Sequence, residues 1–99
     1  MITSTSNPQV KNLTLLVKKA KERKNQGVFV VEGTKMVMEA PTAWVKQVYV
    51  SETYEKATEH GEDMGKLRQK GVAIETLSDS VFKSVSDTQT PQGILAVVA

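Results

Sequence analysis

The sequence contains no cysteine, a single histidine, and only three prolines and six glycines in 99 residues. Without thiols there can be no disulfide, no thiolate metal site and no cysteine nucleophile. His60 alone cannot build a multi-histidine zinc site, and its acidic neighbours Glu59, Glu62 and Asp63 read as a solvated helix end. Aromatic residues make up 5% of the chain and none is interleaved with lysines. Phe29, Trp44, Tyr49 and Phe82 are therefore expected in the core rather than as a platform for stacked bases. No apolar run approaches the roughly 20 residues that cross a bilayer, and Met1-Ile2-Thr3-Ser4 lacks the charged-then-apolar order of a secretory signal. The expected location is the cytoplasm, with neither a membrane nor a metal as partner. A glycine-rich phosphate cradle is also missing, since Glu32-Gly33-Thr34-Lys35 holds one glycine, and no cofactor site is expected within the chain.

With 39% hydrophobic and 24% charged residues, the composition is that of an ordinary globular chain, and its length suits one domain. The net charge of +2 conceals a polarity between the two ends. Residues 1–35 hold seven basic groups against two acidic, a net +5, whereas residues 36–99 hold six against nine, a net −3. The seven are Lys11, Lys18, Lys19, Lys21, Arg23, Lys24 and Lys35. Such a block is either an anion-binding face or a solvated helix surface with no partner, and the position of the charges has to decide.

Asn7 before Pro8 is a helix start, because the Asn side chain accepts from open backbone donors and Pro at the first position loses nothing it needs. Val10, Leu13, Leu16, Val17 and Ala20 then recur at three- and four-residue spacing, with Gly27 as the stop. One helix over residues 8–26 would bury that stripe and carry Lys11 and Lys18 opposite it, flanked by Lys19 and Lys21. Strands are expected at Val28–Val31, Trp44–Val50, Val72–Thr76 and Gly93–Val98. Helices are expected at Thr34–Ala40, from Glu52 to His60 with Gly61 as stop, from Glu62 to Lys70, and from Asp79 to Val85 behind a Ser78 cap. The alternation predicts an α/β layered fold with about four mostly parallel strands and helices on both faces. Strand order cannot be read from the pattern.

Several segments, taken together, resemble one family. They are Ile2-Thr3-Ser4, Asn7-Pro8-Gln9-Val10-Lys11, Arg23 ahead of Gly27-Val28-Phe29-Val30-Val31-Glu32-Gly33, and Ser86-Asp87-Thr88-Gln89-Thr90-Pro91-Gln92-Gly93-Ile94. In this order and spacing they are similar to the N-terminal substrate-binding domain of the SpoU-type (TrmH family) RNA 2′-O-ribose methyltransferases. The resemblance implies a ribosomal-protein-like three-layer α/β/α sandwich, residues 1–99 forming one RNA substrate-binding domain. It also implies a structured RNA partner, ribosomal RNA first among the candidates. A covalently linked knotted domain beyond Ala99 would bind S-adenosylmethionine and move its methyl group, and no residue of that catalytic site is present here.

Within that frame the RNA-binding residues are expected to be Asn7, Lys11, Lys18, Lys19, Lys21, Arg23, Lys24, Gly33, Lys35, Thr90 and Gln92. Ammonium and guanidinium groups neutralise phosphates and release condensed counterions. Arg23 is the strongest single choice, because its planar fork holds a phosphate or stacks on a base, although an ion pair with Glu32 is an equal alternative. Asn7 is accounted for by helix capping, and Gly33 by a turn or by close approach of protein or RNA backbone. Lys35 is equally suited to solvation and to phosphate contact, while Thr90 and Gln92 lie in a loop whose plainer role is a structural turn. Two rival readings are a stand-alone ribosome- or RNA-associated adaptor and a protein-docking or dimerisation module.

Overall fold

Asn7 caps the first helix as expected: in the computed structural model, which describes residues 1–99, its Oδ1 accepts from the Gln9 amide at 2.8 Å and Pro8 opens α1 (Pro8–Lys18). Val10, Leu13, Leu16 and Val17 are all buried along one side of α1. The helix does not continue to residue 26. Lys19 is extended (φ −126°, ψ 110°), and a separate α2 (Ala20–Gln26) follows, ending at Gly27 with φ +68°. The break has a plain cause: α2 contains no buried residue, and Ala20 is exposed. Nothing past Val17 offers the core enough apolar area to hold a continuous rod in place.

The chain proceeds through β1 (Phe29–Glu32), α3 (Thr34–Glu39), a 3₁₀ turn at Thr42–Trp44 and β2 (Val45–Ser51). Next come α4 (Glu52–Lys56), a 3₁₀ turn at Thr58–His60, α5 (Gly61–Gln69), β3 (Ile74–Leu77), α6 (Asp79–Val85) and β4 (Ile94–Val98). The helix expected to run to His60 stops early because Ala57 is extended, and Gly61, expected as its stop, is helical (φ −60°, ψ −39°). That turn lets His60 fold back over the buried Tyr54, ring centroids 3.8 Å apart and planes 9° from parallel.

The sheet order is β1-β4-β2-β3, and it corrects the expectation of mostly parallel strands. Only β2 and β3 pair in parallel, whereas β4 is antiparallel to both β1 and β2. Helical crossovers do make β1, β2 and β3 run the same way. The exception is the last strand. After α6 (Asp79–Val85) the chain is not carried back along the sheet before its last strand begins. The loop 86–93 instead delivers it to the carboxyl ends of β1 and β2, where the Ser51 amide donates to Gly93 (2.8 Å) and the Gly33 amide to Ile94 (3.0 Å). From there β4 threads between β1 and β2, and its five residues are all buried.

Alternation along the strands divides the core into two layers. Tyr49, Leu95 and Val97 pack with Val10, Leu13 and Leu16 of α1 and Val81, Phe82 and Val85 of α6. Val48, Val50, Ile94, Ala96 and Val98 face Val37 of α3, Tyr54 of α4, and Met64 and Leu67 of α5. Helices thus cover both faces of a mixed sheet. Tyr49 and Phe82 are in the core as expected, but Phe29 and Trp44 are 48% and 57% exposed. Phe29 opens the edge strand β1, and Trp44 closes a 3₁₀ turn ahead of β2; both lie outside the two clusters.

Candidate nucleic-acid interface

The break at Lys19 divides the basic segment between two short helices. Lys11 and Lys18 stand two turns apart on α1, where a groove against α6 is lined by Thr5, Lys11, Thr14, Leu15 and Ser84. Lys18 Nζ donates to the Ser84 carbonyl at 3.3 Å, which ties the end of α1 to α6. Lys19, Lys21 and Lys24 are exposed at the break and on α2, and Lys35 is exposed on α3. None of the seven N-terminal cations forms an ion pair. The two ion pairs of the chain, Lys56–Glu52 at 2.9 Å and Lys66–Glu62 at 3.4 Å, belong to the acid-rich remainder.

Arg23 is placed differently from the lysines. Its Nη1 donates to the carbonyls of Leu16 (2.8 Å) and Val17 (3.0 Å), the last turn of α1. Those carbonyls have no intrahelical donor, so a half-buried guanidinium satisfies them and complements the negative helix end. The Arg23–Glu32 ion pair, the alternative role for Arg23, is absent. Glu32 accepts instead from Ser86 Oγ (2.8 Å) and the Asp87 amide (3.1 Å), anchoring the loop 86–93 to β1, while Arg23, Glu32 and Asp87 border one shallow cleft.

Gly33 sits at the end of β1 with φ +97°, and the group approaching it is a protein side chain. A Cβ at this position would stand 3.2 Å from Gln92 Oε1, which accepts from the Thr34 amide at 2.9 Å. Gly33, Thr90 and Gln92 therefore do come together, with Glu32 and Thr88, in a small polar cleft at the carboxyl end of the sheet. Asn7, occupied in capping, lies apart from it.

The model of the MRM3-like substrate binding domain matches residues 7–96. This chain belongs to that family. The fold recurs in solved structures. An rRNA methyltransferase from Sinorhizobium meliloti aligns with a TM-score of 0.73 at 23% identity, covering 98% of this chain and 35% of its own. An RNA 2′-O ribose methyltransferase aligns at 0.74 and 27% identity, covering 97% and 36%. The SpoU methyltransferase AviRb from Streptomyces viridochromogenes, in complex with AdoMet, aligns at 0.67 and 17% identity, covering 93% and 32%. The domain spans about a third of the length of each. No curated protein sequence matches it.

The only β-to-α turn of this MRM3-like domain that resembles a phosphate cradle, at Gly33, is filled by Gln92 and does not fit a nucleoside cofactor. No group of three metal-ligating side chains gathers anywhere. One site is absent from the reading of the sequence. Beside the carboxyl ends of β2 and β3, a cavity of about 380 Å³ is bordered by Tyr54, His60, Asp79, Lys83 and Gln92, among others. Burial raises the Tyr54 hydroxyl pKa, opposed by its hydrogen bond with Thr34 Oγ1 at 2.9 Å. Asp79 is held below the ordinary carboxyl value because Thr53 donates from Oγ1 (2.6 Å) and from its amide (3.0 Å). The signal in the sequence was faint: Ser51 and Ser78 each cap a helix, but only the adjacency of β2 and β3 brings those caps side by side.

Proposed function

We propose that this domain recognises RNA, with ribosomal RNA as the substrate, for S-adenosylmethionine-dependent methylation of a ribose 2′-hydroxyl. A linked catalytic domain supplies the cofactor and the chemistry, and the domain itself moves no methyl group. Lys11, Lys18, Lys19, Lys21 and Lys24 take the phosphate backbone along α1 and α2, and Lys35 meets it beside the cleft of Gly33, Thr90 and Gln92. Arg23 contributes by fixing α2 against the end of α1, which positions three of those lysines. The observation that carries this reading is the full set of cations left without a carboxylate on the N-terminal third, beside two ion pairs elsewhere.

An electrophoretic shift assay on a structured ribosomal RNA hairpin tests it. Lys11→Glu combined with Lys18→Glu weakens binding by at least tenfold, whereas Lys56→Glu combined with Lys66→Glu has a much smaller effect. Equal losses from the two pairs would show that binding follows net charge alone and would overturn the assigned face.

A further inference from the structure

The cavity beside β2 and β3 has the parts of a nucleotide subsite. Its volume of about 380 Å³ falls at the small end of the roughly 300–1,000 Å³ span of ligand pockets. His60 borders it with an aromatic ring stacked on that of the buried Tyr54, which is itself fixed by burial and by the bond with Thr34. Lys83 Nζ makes no hydrogen bond within the domain, and neither does the amide nitrogen of Gln92, whose oxygen is held by Thr34. The carboxylate of Asp79 accepts twice from Thr53 and keeps lone pairs for further donors. A flat aromatic surface, an acceptor and free donors are what a base with its phosphate requires.

The cavity also adjoins the proposed RNA face through a shared residue. Gln92 belongs to this cavity and to the cleft of Gly33 and Thr90. Paired bases inside an A-form helix are stacked and turned inward, so an unpaired nucleotide turned out of the stack is the one free to enter such a cavity.

We infer that this cavity receives one extruded, unpaired nucleotide of the bound RNA, its base against the Tyr54–His60 pair and its polar edge and phosphate toward Asp79, Lys83 and Gln92. The inference rests on the RNA-binding reading above. Its test compares a hairpin carrying a single-nucleotide bulge, in four versions with A, C, G or U, with the same hairpin lacking the bulge. At least one bulged hairpin binds about five- to 160-fold more tightly, the worth of one base–aromatic stack. His60→Ala and Lys83→Ala each bring that ratio toward one; Lys83 is exposed, so its variant stays informative if His60→Ala loosens Tyr54. Lys11→Glu weakens bulged and flush hairpins alike. Equal binding of all five hairpins, or a preference that survives both cavity variants, overturns the inference and leaves RNA binding intact. If no hairpin binds at all, the RNA-binding reading fails first and takes the inference with it.

Discussion

Replacing Arg23 by alanine strips the end of α1 of the donor that reaches the carbonyls of Leu16 and Val17 at 2.8 and 3.0 Å. Both bonds come from one nitrogen in a half-buried setting, so the pair counts as a single charge-assisted contact, about 2 kcal/mol. Water compensates one side of it, which keeps the estimate below the cost of a buried orphan. For a domain of this size, each kcal/mol shifts the melting midpoint by roughly 4–8 °C, so Arg23→Ala melts about 8–16 °C lower. Arg23→Lys keeps the charge but not the planar fork, and it recovers part of the loss. Thermal and urea unfolding followed by far-ultraviolet circular dichroism measure both variants against the parent. An alanine variant that melts with the parent would refute the capping role and return Arg23 to the free cations.

Two glycines with positive φ separate strain from crowding. Gly27→Ala meets no atom within 4 Å and costs only the left-handed conformation, about 1 kcal/mol, whereas Gly93→Ala puts a Cβ 2.6 Å from Ser51 Oγ and costs at least twice that. Similar urea midpoints for the two would contradict the packing at the start of β4. Asp79 is expected to set part of the acid response. Its pKa is held below the ordinary 3.8, so folding favours the carboxylate. The stabilisation is complete above about pH 4 and disappears as pH falls through the lowered value. Asp79→Asn is therefore less stable than the parent at neutral pH, and the gap closes in acid. A gap of constant size down to pH 2 would show that the Thr53 contacts do not depend on ionisation.

Much of the fold was legible because the apolar pattern and the capping residues agree. Ser78 with Val81, Phe82 and Val85 marked α6 to the residue, and the apolar run Ile94–Val98 marked the last strand. Direction was not legible, since it depends on where α6 and the loop 86–93 release the chain, and no periodicity records that. The break at Lys19 was hidden for a similar reason: Ala20 fits a helical stripe by spacing, yet it is too small to anchor one. Of the interface, the unpaired lysines were visible as a charge block. The capping by Arg23 was not, because its partners lie six and seven residues back and meet it only once the helix has broken. The Tyr54–His60 cavity needed the adjacency of β2 and β3, which is information the linear pattern lacks.

The most direct test of phosphate contact through the N-terminal lysines is the salt dependence of hairpin binding, measured for the parent and for Lys11→Gln, Lys18→Gln and Lys24→Gln combined. Each phosphate contact adds about 0.7–0.9 to the slope of log affinity against log salt, so the triple variant loses about 2–3 from that slope. An unchanged slope would place the RNA somewhere other than on α1 and α2.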